Sequence, residues 1–426
     1  FLHAALEKLH VHMESTTDTP LFWHCSHGFH INKHNNKDGI PGCRQIHSLD
    51  GYSKNFYSAL WAKGRHTYSR QYASGYLPHR RRGNAIATVT ITRSRLKANG
   101  KSHATDFLDS PNAFSCPDHA RDLEPYIDTA FTGADSKHMK QRVQYACTRF
   151  DNADCPDAVL KVGTGTLPGD AVAGAWFLAP YHEALDAISR DTPHHRLCYQ
   201  CPWAALVWPT TRTPYNRGGY YTASSPANGP HSTPEVDVSL QSYADDSSKT
   251  YTVPHYLGLL EKARRYAEAA DERFAEKGFR NNADKAVSLV HFCGKHAEAY
   301  TRATYLIGGL PGQVARAARY LGPLLSHNGS NQPEIRKRVN AMRAGYGAFG
   351  SFWSRNPNMR WTKTVFMCMV TGAALSGLPA IVLKSTESNS LEAEIFKLGQ
   401  EGNQRSMHQI KRRCWTYYQV HSNDER

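Results

Sequence analysis

Cysteine and acidic residues are both scarce in this 426-residue chain. Ten cysteines are too few for a disulfide scaffold at this size and fit reduced thiols in an intracellular protein. Asp and Glu number 37 against 51 Lys and Arg, a net charge of +14, so the expected partner is a polyanion, nucleic acid before an anionic membrane. No Gly-rich phosphate loop, Ser nucleophile elbow or internal repeat is visible, which removes the simplest signatures of NTP hydrolysis and serine-based acyl transfer. Long uncharged runs are missing except for TVFMCMVTGAALSGLPAIVL at 364–383. Its 20 residues could span a bilayer. Two Gly, a late Pro and several Thr and Ser point instead to a buried helix packed on its neighbour, with no membrane partner.

Hydrophobic residues at 40% and aromatics at 11% exclude a disordered chain, and the length calls for two or three subdomains. Beginning at Phe1 and ending in HSNDER, the chain reads as an internal piece of a longer open reading frame. Basic clusters stand at INKHNNK (31–37) and PHRRRGN (78–84). The stretch from Ala85 suits either a strand or a helix ending at Asn99–Gly100, and HATDFLD (103–109) reads as a short strand. Residues 215–235, rich in Gly, Pro and Ser, form a loop. A helix is predicted beyond it, with Leu257, Leu260, Ala263, Ala267, Ala270 and Phe274 on one face and Gly278 as its stop. A second predicted helix carries Ile335, Val339, Met342, Tyr346, Phe349 and Trp353 at 4-3-4-3-4 spacing, with Arg336, Lys337, Arg338 and Arg343 off that seam.

In VDVSLQSYADDSSKTYTV (236–253) two aspartates interrupt a strand-like run. Asp disfavours strand interiors, so a hairpin turn is the plain reading. A further carboxylate, Asp109, ends the strand-like run in TDFLDSPNAFS (105–115). Asp-x-x-x-Ala-Phe followed far downstream by Tyr-Ala-Asp-Asp resembles motifs A and C of reverse transcriptases, in particular those of non-LTR retrotransposons. Further stretches resemble the family in the same order. Lys33, Arg44-x-Ile and Lys54-x-Phe resemble its fingers segment, with Lys37 competing for the place of Lys33. GYLPHRRRGNAIATVTI resembles the basic stretch and helix before motif A, and GTGTLPGDAVAGAWFLAPYHEAL (163–185) its motif B. Gly278, Phe279, Asn282 and Lys285 resemble motif D, and Tyr320-Leu321-Gly322 motif E. One departure is plain: Pro168 stands where the family has Gln before Gly169-Asp170, and a Pro has no side-chain amide.

The resemblance implies an α+β right-hand polymerase fold, with fingers in 1–100, a palm in 101–325 and a helical thumb in 326–426. It implies an RNA-directed DNA polymerase adding dNTPs to a primer 3′-hydroxyl with two Mg²⁺ ions, or Mn²⁺ in their place. Asp109, the Ser110 carbonyl and Asp245 would hold metal, with Asp246 in support because adjacent strand residues face opposite ways. Lys285 would donate a proton to the leaving pyrophosphate. Lys33 and Arg44 would hold the triphosphate, Gly169 would lie against the nucleotide, and Phe114 would bar a 2′-hydroxyl. Arg80, Arg81, Arg82, Tyr320, Arg336, Lys337 and Arg343 would line the duplex. The implied partners are an RNA template, a DNA primer or nicked target and dNTPs, with the nucleus as the site of target-primed synthesis. Two alternatives stay open: an inactive relic that only binds nucleic acid, which Pro168 favours, and an RNA-dependent RNA polymerase. Signals left aside are HCSHGFHINKH (24–34) and Cys198-x-x-Cys201 beside His194 and His195. Neither offers the two spaced ligand pairs of a zinc site.

Overall fold

The computed structural model describes residues 2–33, 39, 42–66, 71–77, 80–150, 158–200, 235–253, 255–310, 312–355, 358–381 and 383–402. Lys37, Cys201, the expected loop at 215–234 and the chain beyond 402 lie outside the described residues. In chain order come helix α1 (Leu2–Thr16), strands β1 (Cys25–Asn32) and β2 (Cys43–Ser48), and helices α2 (Gly51–Lys63) and α3 (Arg82–Ala98). Strand β3 (His103–Asp109), helices α4 (Glu124–Ala130) and α5 (Gly133–Gln144), strands β4 (Cys147–Phe150) and β5 (Val159–Lys161), and helix α6 (Ala173–Asp191) follow. Next are β6 (Cys198–Gln200), β7 (Glu235–Asp237), β8 (Leu240–Tyr243), β9 (Asp246–Thr252), helix α7 (Tyr256–Glu276), β10 (Val287–His291) and helix α8 (Ala297–Ile307). Strands β11 (Gln313–Val314), β12 (Ala317–Arg319) and β13 (Leu324–Ser326) precede helix α9 (Gln332–Ala348).

The result is an α+β architecture with antiparallel-rich sheets. The central sheet has the order β11-β10-β3-β9-β8, antiparallel except at the β10–β11 edge. Strand β3 is buried on both faces from His103 to Leu108, which is why it lacks polar alternation. Phe107 and Leu289 meet Ala85, Ile86 and Val89 of α3 and the β12–β13 hairpin on one face. Leu108 faces Phe177, Tyr181, Tyr266 and Phe274 of α6 and α7 on the other. Pro180 inside α6 costs about 3 kcal/mol in an exposed helix. Burial of Phe177, Leu178, Tyr181 and Leu185, roughly 1.5–3 kcal/mol each, outweighs it. A second sheet has the order β2-β1-β4-β5, its strands β4 and β5 following β3 in the chain.

The ambiguous stretch after Arg82 is helical, and Gly100 ends it at φ +63°. The face of α7 differs from its expected set: Leu257 is exposed, and Leu259, Ala263, Tyr266, Ala270 and Phe274 point inward. The seam runs through Tyr266, a residue whose ring fills the space under the sheet, so apolar spacing alone misjudged its phase. Gly278 at φ +74° is the stop, as expected.

The seam of α9 packs as its spacing predicts, with Ile335, Met342 and Trp353 buried and Val339, Tyr346 and Phe349 against them. The helix itself stops at Ala348; Trp353 returns from a further short turn to stack on Tyr346 at 4.9 Å. Arg338 is not on the solvent side. It is buried, bonded to Glu334 at 2.7 Å and to the carbonyls of Ala374 and Ser376. From 364 to 380 the apolar run is a series of helical turns, widened over Phe366–Thr371, that packs on α9. Gly345 makes that approach feasible, since a Cβ there would sit 2.7 Å from the Met369 carbonyl oxygen. Among the described residues no helix is long and apolar enough to cross a membrane.

Candidate active site

Asp109 is the last residue of β3 and Asp246 the first of β9, paired directly opposite each other. Opposed residues of an antiparallel pair share a face with Cβ atoms about 5 Å apart. This corrects the expectation that Asp246 turns away: alternation along one strand does not govern it, because Asp245 belongs to the turn rather than to β9. Ala244 and Asp245 make the two-residue connection between β8 and β9, with Ala244 at φ +55°. A left-handed non-glycine residue costs of order 1–3 kcal/mol and persists only where neighbours hold it. Here the neighbours are residues 72–75, lying alongside the end of β8. The Ser74 amide donates to the Ser242 carbonyl at 2.8 Å and the Ser242 amide to that of Tyr72 at 2.7 Å. Gly75 lies so close that a Cβ would come within 2.4 Å of the Ala244 nitrogen. From below, the Tyr181 hydroxyl donates to the Asp245 carbonyl at 3.3 Å.

The electrostatics are those of crowded carboxylates. Burial and then the charges of Asp245 and Asp109 push the Asp246 carboxyl up to about 6. Burial, with Asp109 as a further cause, also raises Asp245; Lys285 and Arg44 pull it back. The Lys285 ammonium is ion-paired to Asp109 Oδ2 at 2.8 Å, and the Asn282 amide donates to the Asp109 carbonyl at 2.9 Å. The stretch 278–285 therefore folds back onto Asp109, with Phe279 buried against Phe177 and Tyr181 as its anchor.

A raised carboxyl pKa makes the folded chain bind more protons than the unfolded one. Its contribution is full below about 4 and is lost as pH rises through about 6. In metal-free buffer Asp246→Asn is therefore expected to match wild type at pH 4. At pH 7 it should be more stable by about 1–2 kcal/mol, discounted for partial exposure. Urea unfolding at both pH values reads this, and an equal difference at both defeats it.

The other predicted residues divide into groups. Arg44 on β2 is exposed and close enough to act on Asp245. Lys33 follows the end of β1 on the same hairpin, its amide bonded to the Gly42 carbonyl at 2.8 Å. Phe114 is half-buried on Phe177, beyond Asp109 in a short turn. Ser110 is buried beside Asp109. Gly169 at φ +116° lies against the second sheet, where a Cβ would come 2.1 Å from the His47 carbonyl oxygen. Pro168 accepts from the His47 amide at 2.8 Å through its own carbonyl. Beside it Asp170 is ion-paired to Arg142 at 2.6 Å, both side chains buried. This segment ties the two sheets together, a role legible only in part from its Gly-Asp pair.

Arg80 reaches the Ala73 carbonyl at 2.5 Å, and the Arg81 amide donates to Asn84 Oδ1 at the start of α3, at 2.7 Å. Arg82 and Lys337 flank the turn at Gly322: Lys337 donates to its carbonyl at 2.6 Å, and a Cβ on Gly322 would be 3.7 Å from Arg82 Nη1. Arg336 is exposed, whereas Arg343 is paired with Glu394 through two bonds of 2.6 and 3.0 Å. Tyr320 corrects the expectation of a duplex contact. It is buried, 4.9 Å from the Phe107 ring, with its hydroxyl bonded to Ser248. Bulk explains it, since the ring fills the space between the hairpin and the sheet. His24 and His195, from the His/Cys clusters, are also buried, and desolvation lowers both to about 4. Missed from sequence were Arg142, Tyr181 and Tyr76; only the Ser-Gly-Tyr context of Tyr76 offered any signal.

Fold and site together define an α+β protein with three carboxylates gathered at adjacent strand ends of an antiparallel-rich sheet. No family model matches the chain, and no curated protein matches it. Among solved structures it is similar to telomerase from Candida tropicalis. The apo enzyme truncated from its C-terminal domain shows 10% identity over 77% of this chain and 59% of that one, TM-score 0.42. Apo telomerase gives 9% over 94% and 63%, TM-score 0.43. The complex with a TWJ fragment of telomeric RNA gives 9% over 97% and 68%, TM-score 0.41. The site stands on its own geometry.

Proposed function

We propose that this chain is an RNA-directed DNA polymerase of the non-LTR retrotransposon type, adding dNTPs to a primer 3′-hydroxyl. The observation that carries the reading is the meeting of Asp109, Asp245 and Asp246 at one sheet end beneath Lys285, although they lie 136 residues apart between Asp109 and Asp245 along the chain. In this reading 1–100 form the fingers, 101–325 the palm and 326–426 the thumb. The substrates are an RNA template, a DNA primer or nicked target and dNTPs, and the compartment is the nucleus.

Among the described residues no group of three or more His, Cys, Asp or Glu is arranged to hold a metal ion, so a divalent cation is supported by the chemistry of the donors alone. They are hard carboxylate oxygens, and burial first, then the neighbouring carboxylates, raises both Asp245 and Asp246. Asp109, Asp245 and the Ser110 carbonyl would hold the cation, with Asp246 on the same face. A bound Mg²⁺ pair, or Mn²⁺, supplies Lewis-acid stabilisation of the attacking and leaving oxygens. Arg44 and Lys33 orient the triphosphate by charge. Lys285 holds a proton at Nζ for the departing pyrophosphate and keeps it beside Asp109 until then. The Phe114 ring, backed by Phe177, meets the sugar and excludes a 2′-hydroxyl. Arg82, Lys337 and Arg336 contact phosphates without reading bases, so affinity should fall steeply with salt.

Primer extension on an RNA template tests the reading: wild type extends with dNTPs and Mg²⁺ and discriminates against ribonucleotides. Phe114→Val should lower that preference by about tenfold or more. Absence of extension by wild type would favour the nucleic-acid-binding relic, for which Pro168 speaks. Ribonucleotide incorporation by wild type would favour the RNA polymerase. Phe114 is the residue that separates that reading, since its ring would bar a ribose.

A further inference from the structure

Tyr76 follows the residues that brace the Ala244–Asp245 turn, and no role falls to it in the reading above. Its backbone is left-handed, φ +56°, a strained conformation for an aromatic residue. Its ring stands edge-on to Phe114, centroids 5.6 Å apart and planes at 89°. Phe114 lies nearly flat on Phe177, at 4.9 Å and 24°, so one of its faces is covered by the core while Tyr76 guards its side. The Tyr76 ring reaches this position over Gly174 at the start of α6, where a Cβ would come 2.3–2.8 Å from three ring atoms. Half of Tyr76 remains exposed. Burial, with Asp245 as the next cause, pushes its phenol up to about 12.

The core has no need of this arrangement. A half-exposed aromatic held by strain at right angles to another ring points to a role beyond packing. One ring backed on a single face could swing aside for a larger sugar. A second ring set perpendicular to it blocks that swing.

We propose that Tyr76 and Phe114 form a right-angled aromatic corner that selects the sugar of the incoming nucleotide, with Gly174 as the gap that admits Tyr76. The proposal rests on the polymerase reading and adds a specificity-determining residue to it. The test is the ratio of kcat/KM for a dNTP to that for the matching rNTP in single-nucleotide extension. Tyr76→Leu should lower the ratio about tenfold relative to wild type, and Tyr76→Phe, which keeps the ring, should retain it. Gly174→Ala changes neither aromatic residue but displaces the Tyr76 ring, and should lower the ratio in the same direction. If Tyr76→Leu and Gly174→Ala both keep the wild-type ratio while Phe114→Val loses it, the corner is overturned and the polymerase reading stands. If wild type extends with neither nucleotide, both fall together.

Discussion

Asp109→Ala and Asp245→Ala are each expected to reduce primer extension by about 10³-fold or more while duplex affinity stays nearly intact. In the proposed reading each carboxylate would hold metal, and its loss would remove several kcal/mol of transition-state stabilisation, with each 1.4 kcal/mol about tenfold in rate. Folding is not the weak point. Asp245 is raised by burial and by its acidic neighbour, so its charge opposes the fold and its removal does not unfold the sheet. Asp109 contributes one partly exposed pair with Lys285, whose loss costs about 1 kcal/mol at most. Single-turnover extension and filter binding of a primer–template duplex separate the two effects. Synthesis retained near the wild-type rate in either variant removes that residue from the catalytic centre.

The second large effect concerns Asp170. Its carboxylate receives two bonds from Arg142, at 2.6 and 3.0 Å, and both side chains are at most 2% exposed. Arg142 also donates to the Trp23 carbonyl and lies 5.1 Å over the Tyr57 ring. Removing one partner leaves a buried charge without compensation, a loss of about 3–5 kcal/mol. Asp170→Ala should therefore shift the urea midpoint strongly. Pairing it with Arg142→Met should recover most of the loss, because two apolar side chains leave no orphaned charge. An Asp170→Ala variant within about 1 kcal/mol of wild type would mean that solvent reaches the guanidinium, contrary to the packing described.

Apart from stability, that ion pair has a geometric consequence. With the Pro168 carbonyl on the His47 amide and Gly169 against the His47 carbonyl, it fixes β2, and so Arg44, relative to α6. The Gln that the resemblance leads one to expect at 168 is replaced by a residue whose backbone does the joining. The joint between the sheets needs only that backbone.

Local chemistry in the chain was enough for the α3 terminus, the β3 strand, the stops at Gly100 and Gly278 and the α9 seam. Each depends on neighbours within a turn or two, where periodicity and backbone preference act directly. The order of acidic and aromatic motifs likewise named Asp109, Asp245, Asp246, Lys285 and Phe114 as one set. Long-range packing settled the remainder. Register put Asp246 on the face of Asp109, volume turned Tyr266 and Tyr320 inward, a buried carboxylate drew in Arg142, and a missing Cβ at Gly174 let Tyr76 reach Phe114. These contacts join residues tens to hundreds of positions apart, and their energies depend on shape and dielectric that no stretch of sequence contains.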